Sequence, residues 1–237
     1  MIEQQQQQRL SENWQTLQQQ VSEAAIRSGR DPDSVQIIGV SKYVDAEMTH
    51  ALVEAGCRQL GESRPQQMWQ KADALELDPS VNWHMIGHLQ RNKVRRSLRY
   101  RPLVHSVDSP RILTALAEEA SMQGQVVDVL LEVNISGDKA KTGFLPESLA
   151  AVLDSLPDDG VQVRGLMAMA GWGTGSQAAQ MQFDRTRELR DQLSHSSGRP
   201  LPELSMGMSG DFTEAIGAGS TMVRIGSMLF EGVIEGR

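Results

Sequence analysis

Cysteine is almost missing from this 237-residue chain: Cys57 stands alone, which excludes an internal disulfide. A surplus of positive charge is missing too. Lysine and arginine number 23 against 30 aspartates and glutamates, and the formal net charge of -7 argues against a nucleic-acid or membrane partner held by charge alone. No apolar stretch reaches the roughly 18 residues of a membrane span. The first residues, Met1-Ile2-Glu3 and then five glutamines, lack the basic and apolar regions of a signal peptide, so the chain reads as cytoplasmic. What is present is a hydrophobic content of 39 %, enough for a proper core. At this length one domain over 1–237, of the α/β-barrel type, is preferred to two small ones.

Short apolar runs alternate with longer amphipathic patterns along the whole chain. Strands are predicted at 35–41, 59–62, 81–86, 103–107, 126–134, 161–169, 203–208 and 222–225. Between them, apolar residues spaced by three and four, as in Met48-Leu52-Ala55 and Ile112-Leu116-Ala117, mark helices. An N-terminal helix carrying Leu10, Trp14, Leu17 and Val21 precedes the first strand, and the glutamine-rich start reads as its first turns. Eight such units in about 200 residues match a (β/α)8 TIM barrel near its lower size limit. The polar stretch 171–180 reads as a mobile loop after the sixth strand.

In such barrels the chemistry sits at the C-terminal ends of the strands. Lys42 closes the first apolar run, Ile37 to Ser41, and a partly shielded amine there can condense with an aldehyde. Taken alone, the same lysine fits an ordinary surface role. A second group lies after strands seven and eight, in Ser205-Met206-Gly207-Met208-Ser209-Gly210-Asp211 and Arg224-Ile225-Gly226-Ser227. These turns frequently bind phosphate through backbone N–H groups. Ser205, Ser209 and Ser227 add hydroxyl donors, and Gly207 and Gly226 permit close approach. An ordinary pair of turns is the alternative, and Asp211 with Glu214 has the form of a capping box. Asn134 ends strand five, where it joins the candidates or only closes a turn. An imine-forming lysine across a barrel mouth from a phosphate cup suits pyridoxal 5′-phosphate, which carries both an aldehyde and a phosphate.

Six segments then carry a resemblance to a known family. They are Ile38-Gly39-Val40-Ser41-Lys42, Trp83 to Gln90 (WHMIGHLQ), Lys141-Thr142-Gly143, Arg164-Gly165-Leu166-Met167, Leu204-Ser205-Met206-Gly207-Met208-Ser209 and Met222-Val223-Arg224-Ile225-Gly226. The chain, from about Leu10 to Phe230, resembles the pyridoxal phosphate homeostasis protein family and, more distantly, the N-terminal barrel of alanine racemase. The resemblance implies a barrel of the alanine racemase N-terminal-domain type with Lys42 holding the cofactor as an internal aldimine. It sets Ser205, Gly207, Met208, Ser209, Gly226 and Ser227 on the phosphate-binding turns and Arg224 opposite the pyridine nitrogen. A guanidinium keeps its proton, so the ring there is a weak electron sink for carbanions. In alanine racemase a tyrosine from a second domain of the partner subunit supplies the opposing base, whereas this chain ends soon after strand eight. The function implied is holding and carrying the cofactor for homeostasis, with amino acids or recipient apo-enzymes as partners, a monomer, and no catalytic residue. An amino-acid racemase or related enzyme is the alternative.

The chain departs from the family near the site: Ser63-Arg64 follows Glu62 where Asn-Tyr is common, and Val44 stands where a second lysine is common. A spare lysine is better sought at Lys139 or Lys141. Of the two tyrosines, Tyr100 belongs to the opposite rim, and Tyr43 either faces the cofactor or packs at the surface. His84 and His88 have helical metal-pair spacing, but His84 lies in an apolar strand and Gly87 is poor in a helix, so no metal is expected. Met167, Met169, Met206 and Met208 alternate as barrel packing would. Arg91 to Arg99 reads as a solvated helix face.

Overall fold

The computed structural model describes residues 2–76, 79–138, 140–157, 159–171 and 173–234. Eight parallel strands close into a barrel in chain order. They are β1 (Gln36–Val40), β2 (Gln59–Glu62), β3 (Asn82–Met85), β4 (Leu103–Val107), β5 (Val127–Glu132), β6 (Val161–Met167), β7 (Glu203–Ser205) and β8 (Met222–Ile225). Closure runs through β1 and β8, where Ile38 lies opposite Arg224. Helices return between them: α1 (Gln4–Arg27), α2 (Ala46–Glu54), α3 (Pro65–Ala74), α4 (Arg91–Ser97), α5 (Pro110–Met122), α6 (Leu149–Asp154), α7 (Ser176–Ser197) and α8 (Phe212–Gly217). Parallel strands covered on both faces read as apolar runs, which is clearest in β1 and β5.

The strand ends differ from the expectation at the C-terminal mouth. The apolar runs 126–134, 161–169 and 203–208 outlast their strands by two or three residues. The first residues past each strand stay covered: Met206 is fully buried, and its N–H donates to the Met222 carbonyl at 3.1 Å, while Met208 at the end of its run is exposed. The stretch 171–180 is also corrected, since α7 begins at Ser176 and claims its second half.

The glutamine-rich start is helical as predicted. Glu3 and Gln6 form a capping box, and Leu10, Trp14, Leu17, Val21, Ala24 and Ala25 make one buried stripe at three-and-four spacing. That stripe packs against the outer face of the barrel beside α2 and α8. Asn13 and Gln6 then tie α1 to the last turns, donating to the carbonyls of Leu229 (3.0 Å) and Val233 (2.9 Å). Among the described residues, no helix is long and apolar enough to cross a membrane.

Cys57 belongs to the same outer core and is fully buried. Burial pushes its thiol up to about 11, against a smaller opposing effect of the hydrogen bond to the Gln59 carbonyl. The thiolate is the reactive form, so the folded protein should resist iodoacetamide at about pH 8. Labelling should appear only with denaturant, in step with unfolding followed by circular dichroism. Rapid modification of the native protein would contradict this burial.

Candidate active site at the C-terminal mouth

Two cavities occupy opposite mouths of the barrel. The one at the N-terminal mouth, about 540 Å³, is lined by strand-start residues such as Gln36, Gln59 and Asn82. The one at the C-terminal mouth, about 440 Å³, holds the predicted chemistry: Lys42, Met208, Ser209, Arg224, Gly226 and Ser227 all line it. Function in this architecture belongs to the C-terminal face, so the second cleft is the candidate site. Tyr43, Ser63, Ile86 and Met169 complete its walls. Met169 and Met208 thus leave the packing role expected of them, while Met167 and Met206 keep it, fully buried.

Lys42 follows β1, and the end of that strand is fastened from below. The Ser41 hydroxyl donates to Glu62 Oε1 at 2.9 Å, and Lys71 Nζ, from α3, donates to the Ser41 carbonyl at 2.7 Å and pairs closely with the same Glu62 oxygen. All three side chains are buried. The Lys42 amine itself stands 4.8 Å from the centre of the exposed Tyr43 ring, a cation–π arrangement at the rim. Tyr100 sits on the opposite rim and donates to Asp73 at 2.6 Å.

Across the cleft, the turn after β7 is shaped by Gly207. Its φ is +87°, and a Cβ there would lie 2.6 Å from Cβ of Ala215, so the chain can pass this close to α8 only as glycine. The Gly207 carbonyl accepts from the Arg224 backbone N–H at 3.0 Å, which joins the two turns. Asp211 departs from its expected capping role: its carboxylate makes no cap bond to α8 and instead accepts from the Met208 N–H at 2.6 Å. Burial raises its pKa. The hydroxyls of Ser209 and Ser227 carry no protein hydrogen bond among the described residues and are free for an anion in the cleft.

Arg224 forms the floor. It is 4 % exposed, and Nη1 donates to Ser205 O (2.7 Å) and Oγ (2.6 Å), while Nη2 donates to Ala168 O (3.1 Å). Burial lowers its pKa to about 10, which leaves it charged at neutral pH. Ser205 therefore does not join the cup. Its side chain points into the barrel beneath the floor, hydrogen-bonded to Arg224 and, at 2.9 Å, to His105. Asn134 stays out of the cleft as well, because its amide is taken by the loop it closes, donating to the Asp138 carbonyl at 2.7 Å and accepting from Ser136 at 3.0 Å. Lys141 does not line the cleft either. It donates to the Ala170 carbonyl at 2.7 Å and the Met169 carbonyl at 3.3 Å. Lys139 lies outside the described residues.

Several contributors escaped the sequence reading. His84 was placed correctly on β3 but its partner His105, on β4, was not singled out, although an isolated histidine inside an apolar strand was the available signal. Lys71 gave none, since it occupies an unremarkable helix position. His88 points outward to Asp108 at 2.9 Å, away from His84.

The chain is similar to known proteins over most of its length. Residues 6–232 match the family model for the alanine racemase N-terminal domain. A pyridoxal phosphate homeostasis protein of Aquifex aeolicus is 37 % identical over 213 residues, covering 90 % of this chain and 93 % of that protein. One of Deinococcus radiodurans is 40 % identical over 211 residues, covering 89 % and 95 %. The solved structure of PipY from Synechococcus elongatus with pyridoxal phosphate bound superposes with a TM-score of 0.80 at 33 % identity, covering 93 % of this chain and 99 % of that one. The chain belongs to the alanine racemase N-terminal-domain family and, within it, to the group of pyridoxal phosphate homeostasis proteins.

Proposed function

We propose that this protein binds pyridoxal 5′-phosphate at Lys42 and contributes to its homeostasis and carriage, with no dedicated catalytic turnover. The observation that carries the reading is the convergence of one amine, one fixed guanidinium and two unengaged hydroxyls on a single cleft of about 440 Å³. When bound, the cofactor would supply an aldehyde, a group that reacts with a primary amine. Lys42 would provide that amine, Ser209, Ser227 and the backbone around Gly226 would hold the phosphate, and Arg224 would offer an N–H to the ring nitrogen. These residues fit the group chemically. A hydroxyl donates to phosphate oxygens, and a buried guanidinium with all its visible partners being acceptors can offer only another N–H.

Arg224 supports a holding role over a racemase. A donor that stays charged beside the ring nitrogen disfavours a protonated ring, so carbanions at the amino-acid α-carbon gain little stabilisation. Tyr43 is the tyrosine at the cleft, and it lies on the Lys42 side, stacked by that amine, and not opposite it. The proposal includes a monomer, since one chain furnishes the whole cleft, and a cytoplasmic carrier that meets amino acids or recipient apo-enzymes at the open mouth.

The test incubates the loaded protein with each amino acid in deuterated water and follows α-proton exchange by NMR. Exchange at the uncatalysed rate of free pyridoxal phosphate is expected. Exchange at enzyme-like rates, on the order of 1 per second or faster, would replace carriage with the racemase-like reading.

A further inference from the structure

The interior of such a barrel is usually filled by branched aliphatic side chains. Here β3, β4, β7 and β8 instead contribute His84, His105, Ser205 and Arg224, each 4 % exposed or less. They form an unbroken line. Arg224 Nη1 lies 2.6 Å from Ser205 Oγ, which lies 2.9 Å from His105 Nδ1; His105 Nε2 lies 2.9 Å from His84 Nδ1, and His84 Nε2 lies 2.8 Å from Gln59 Oε1.

The protons in this line can be assigned, because one end has no choice. Arginine is a donor only, so Ser205 Oγ accepts from it and has its own proton left to give. That proton goes to His105 Nδ1, which must then be bare. A neutral His105 carries its proton on Nε2 and donates to His84 Nδ1, again bare, and His84 donates through Nε2 to the side-chain amide oxygen Oε1 of Gln59. Reversing the chain would leave the Ser205 proton without an acceptor in the line, since Arg224 offers none. Neutrality of both rings agrees with their surroundings: burial pushes His84 down to about 4, and burial together with His84 and Arg224 holds His105 well below the usual histidine range.

We propose that Ser205, His105 and His84 are positioning residues for Arg224, forming a one-way hydrogen-bond chain from the cleft floor to Gln59 that fixes the guanidinium facing the cofactor. The proposal rests on Arg224 facing the cofactor ring. Within it, the rings' work is polar and directional. Donation to His105 polarises the Ser205 hydroxyl and makes its oxygen a better acceptor for the guanidinium. Among the described residues no carboxylate pairs directly with Arg224, so these neutral acceptors set its orientation. Gln59 lines the cavity at the far mouth, so the chain spans the barrel from one mouth to the other.

Ring-nitrogen NMR of ¹⁵N-histidine-labelled protein, first without and then with pyridoxal phosphate, reads the tautomers directly. His84 and His105 should both be neutral with the proton on Nε2. Ser205→Ala removes a single oxygen; it should disturb the His105 signal, shift the visible absorbance of the bound cofactor and raise its half-saturation about tenfold. Ser205→Thr, which keeps the hydroxyl, should restore both cofactor readouts. A proton on Nδ1 of either ring, a charged ring at neutral pH, or a Ser205→Ala protein with unchanged absorbance and half-saturation would overturn the proposal. If Ser205→Ala does not fold, the wild-type tautomers decide. Failure of the cofactor reading would appear separately, as wild-type protein that borohydride cannot link to pyridoxal phosphate. Nε2 protons in the free protein would still support the chain.

Discussion

Lys42→Ala is expected to abolish covalent capture of pyridoxal phosphate. After incubation with the cofactor and reduction with borohydride, the wild-type protein should gain one pyridoxyl group, found by mass spectrometry on the peptide containing Lys42; the variant should gain none there. The loss is complete because an alanine has no nucleophile to offer, and the other described lysines near this mouth are engaged: Lys141 on the carbonyls of Met169 and Ala170, and the buried Lys71 on the Ser41 carbonyl and Glu62. Stability should change little, by about 0.5 kcal/mol or less, because Lys42 is only half-buried and its amine rests against the exposed Tyr43 ring at the rim. The phosphate end should survive. Ser209 and Ser227 still face the cleft, so weak non-covalent binding should remain in Lys42→Ala. It should drop by a further one to two powers of ten for each hydroxyl removed, the cost of a hydrogen bond to a charged group being about 1.5–3 kcal/mol. An adduct of wild-type yield in Lys42→Ala would move the amine elsewhere and with it the function proposed.

Lys42 and Arg224 were legible because each ends or closes a strand, and strand ends in a barrel have a known destination. Strands such as β1 and β5 were legible for a similar reason: their covering on both faces writes an apolar run into the chain. What stayed hidden depends on a single step of alternation or on the reach of a side chain. Ser205, the last residue of β7, and Ser209, in the turn after it, look alike in sequence. One points below the cleft floor and the other into the cleft, because β7 ends at Ser205 and the following loop folds over α8. Asp211 and Glu214 have the spacing of a capping box, but the Met208 N–H lies nearer than the helix N–H groups and takes the carboxylate. Asn134 is polar at a strand end like the others, and only the loop through Asp138 reveals that its amide is already occupied. No period or motif could have announced Lys71. Its place on α3 says that one face is buried, not that its amine crosses beneath β2.

That buried amine has the largest expected effect on stability. In Lys71→Met the Glu62 carboxylate keeps the Ser41 hydroxyl and loses its only cation, at a site where Glu62 is fully buried and its Oε2 has no partner among the described residues. Removing one member of a buried pair costs about 3–5 kcal/mol, a large share of the 5–15 kcal/mol that hold a typical domain folded. The pair itself need not be worth that much, because both charges were desolvated to form it. Three variants separate the two ideas in urea unfolding. Glu62→Gln keeps acceptors for Ser41 and Lys71 but strands the ammonium, and should lose as much as Lys71→Met. Ser41→Ala with Glu62→Met and Lys71→Met removes both charges and the hydroxyl that depended on them, and should recover most of the loss. The pair's specific contribution is then positional: Lys71 also donates to the Ser41 carbonyl, one residue before Lys42. The triple variant should accordingly regain stability without regaining the wild-type rate of borohydride-trapped capture at Lys42. If Lys71→Met costs under about 1 kcal/mol, the pair does not hold this part of the fold, and if the triple variant captures cofactor at the wild-type rate, the pair does not place Lys42.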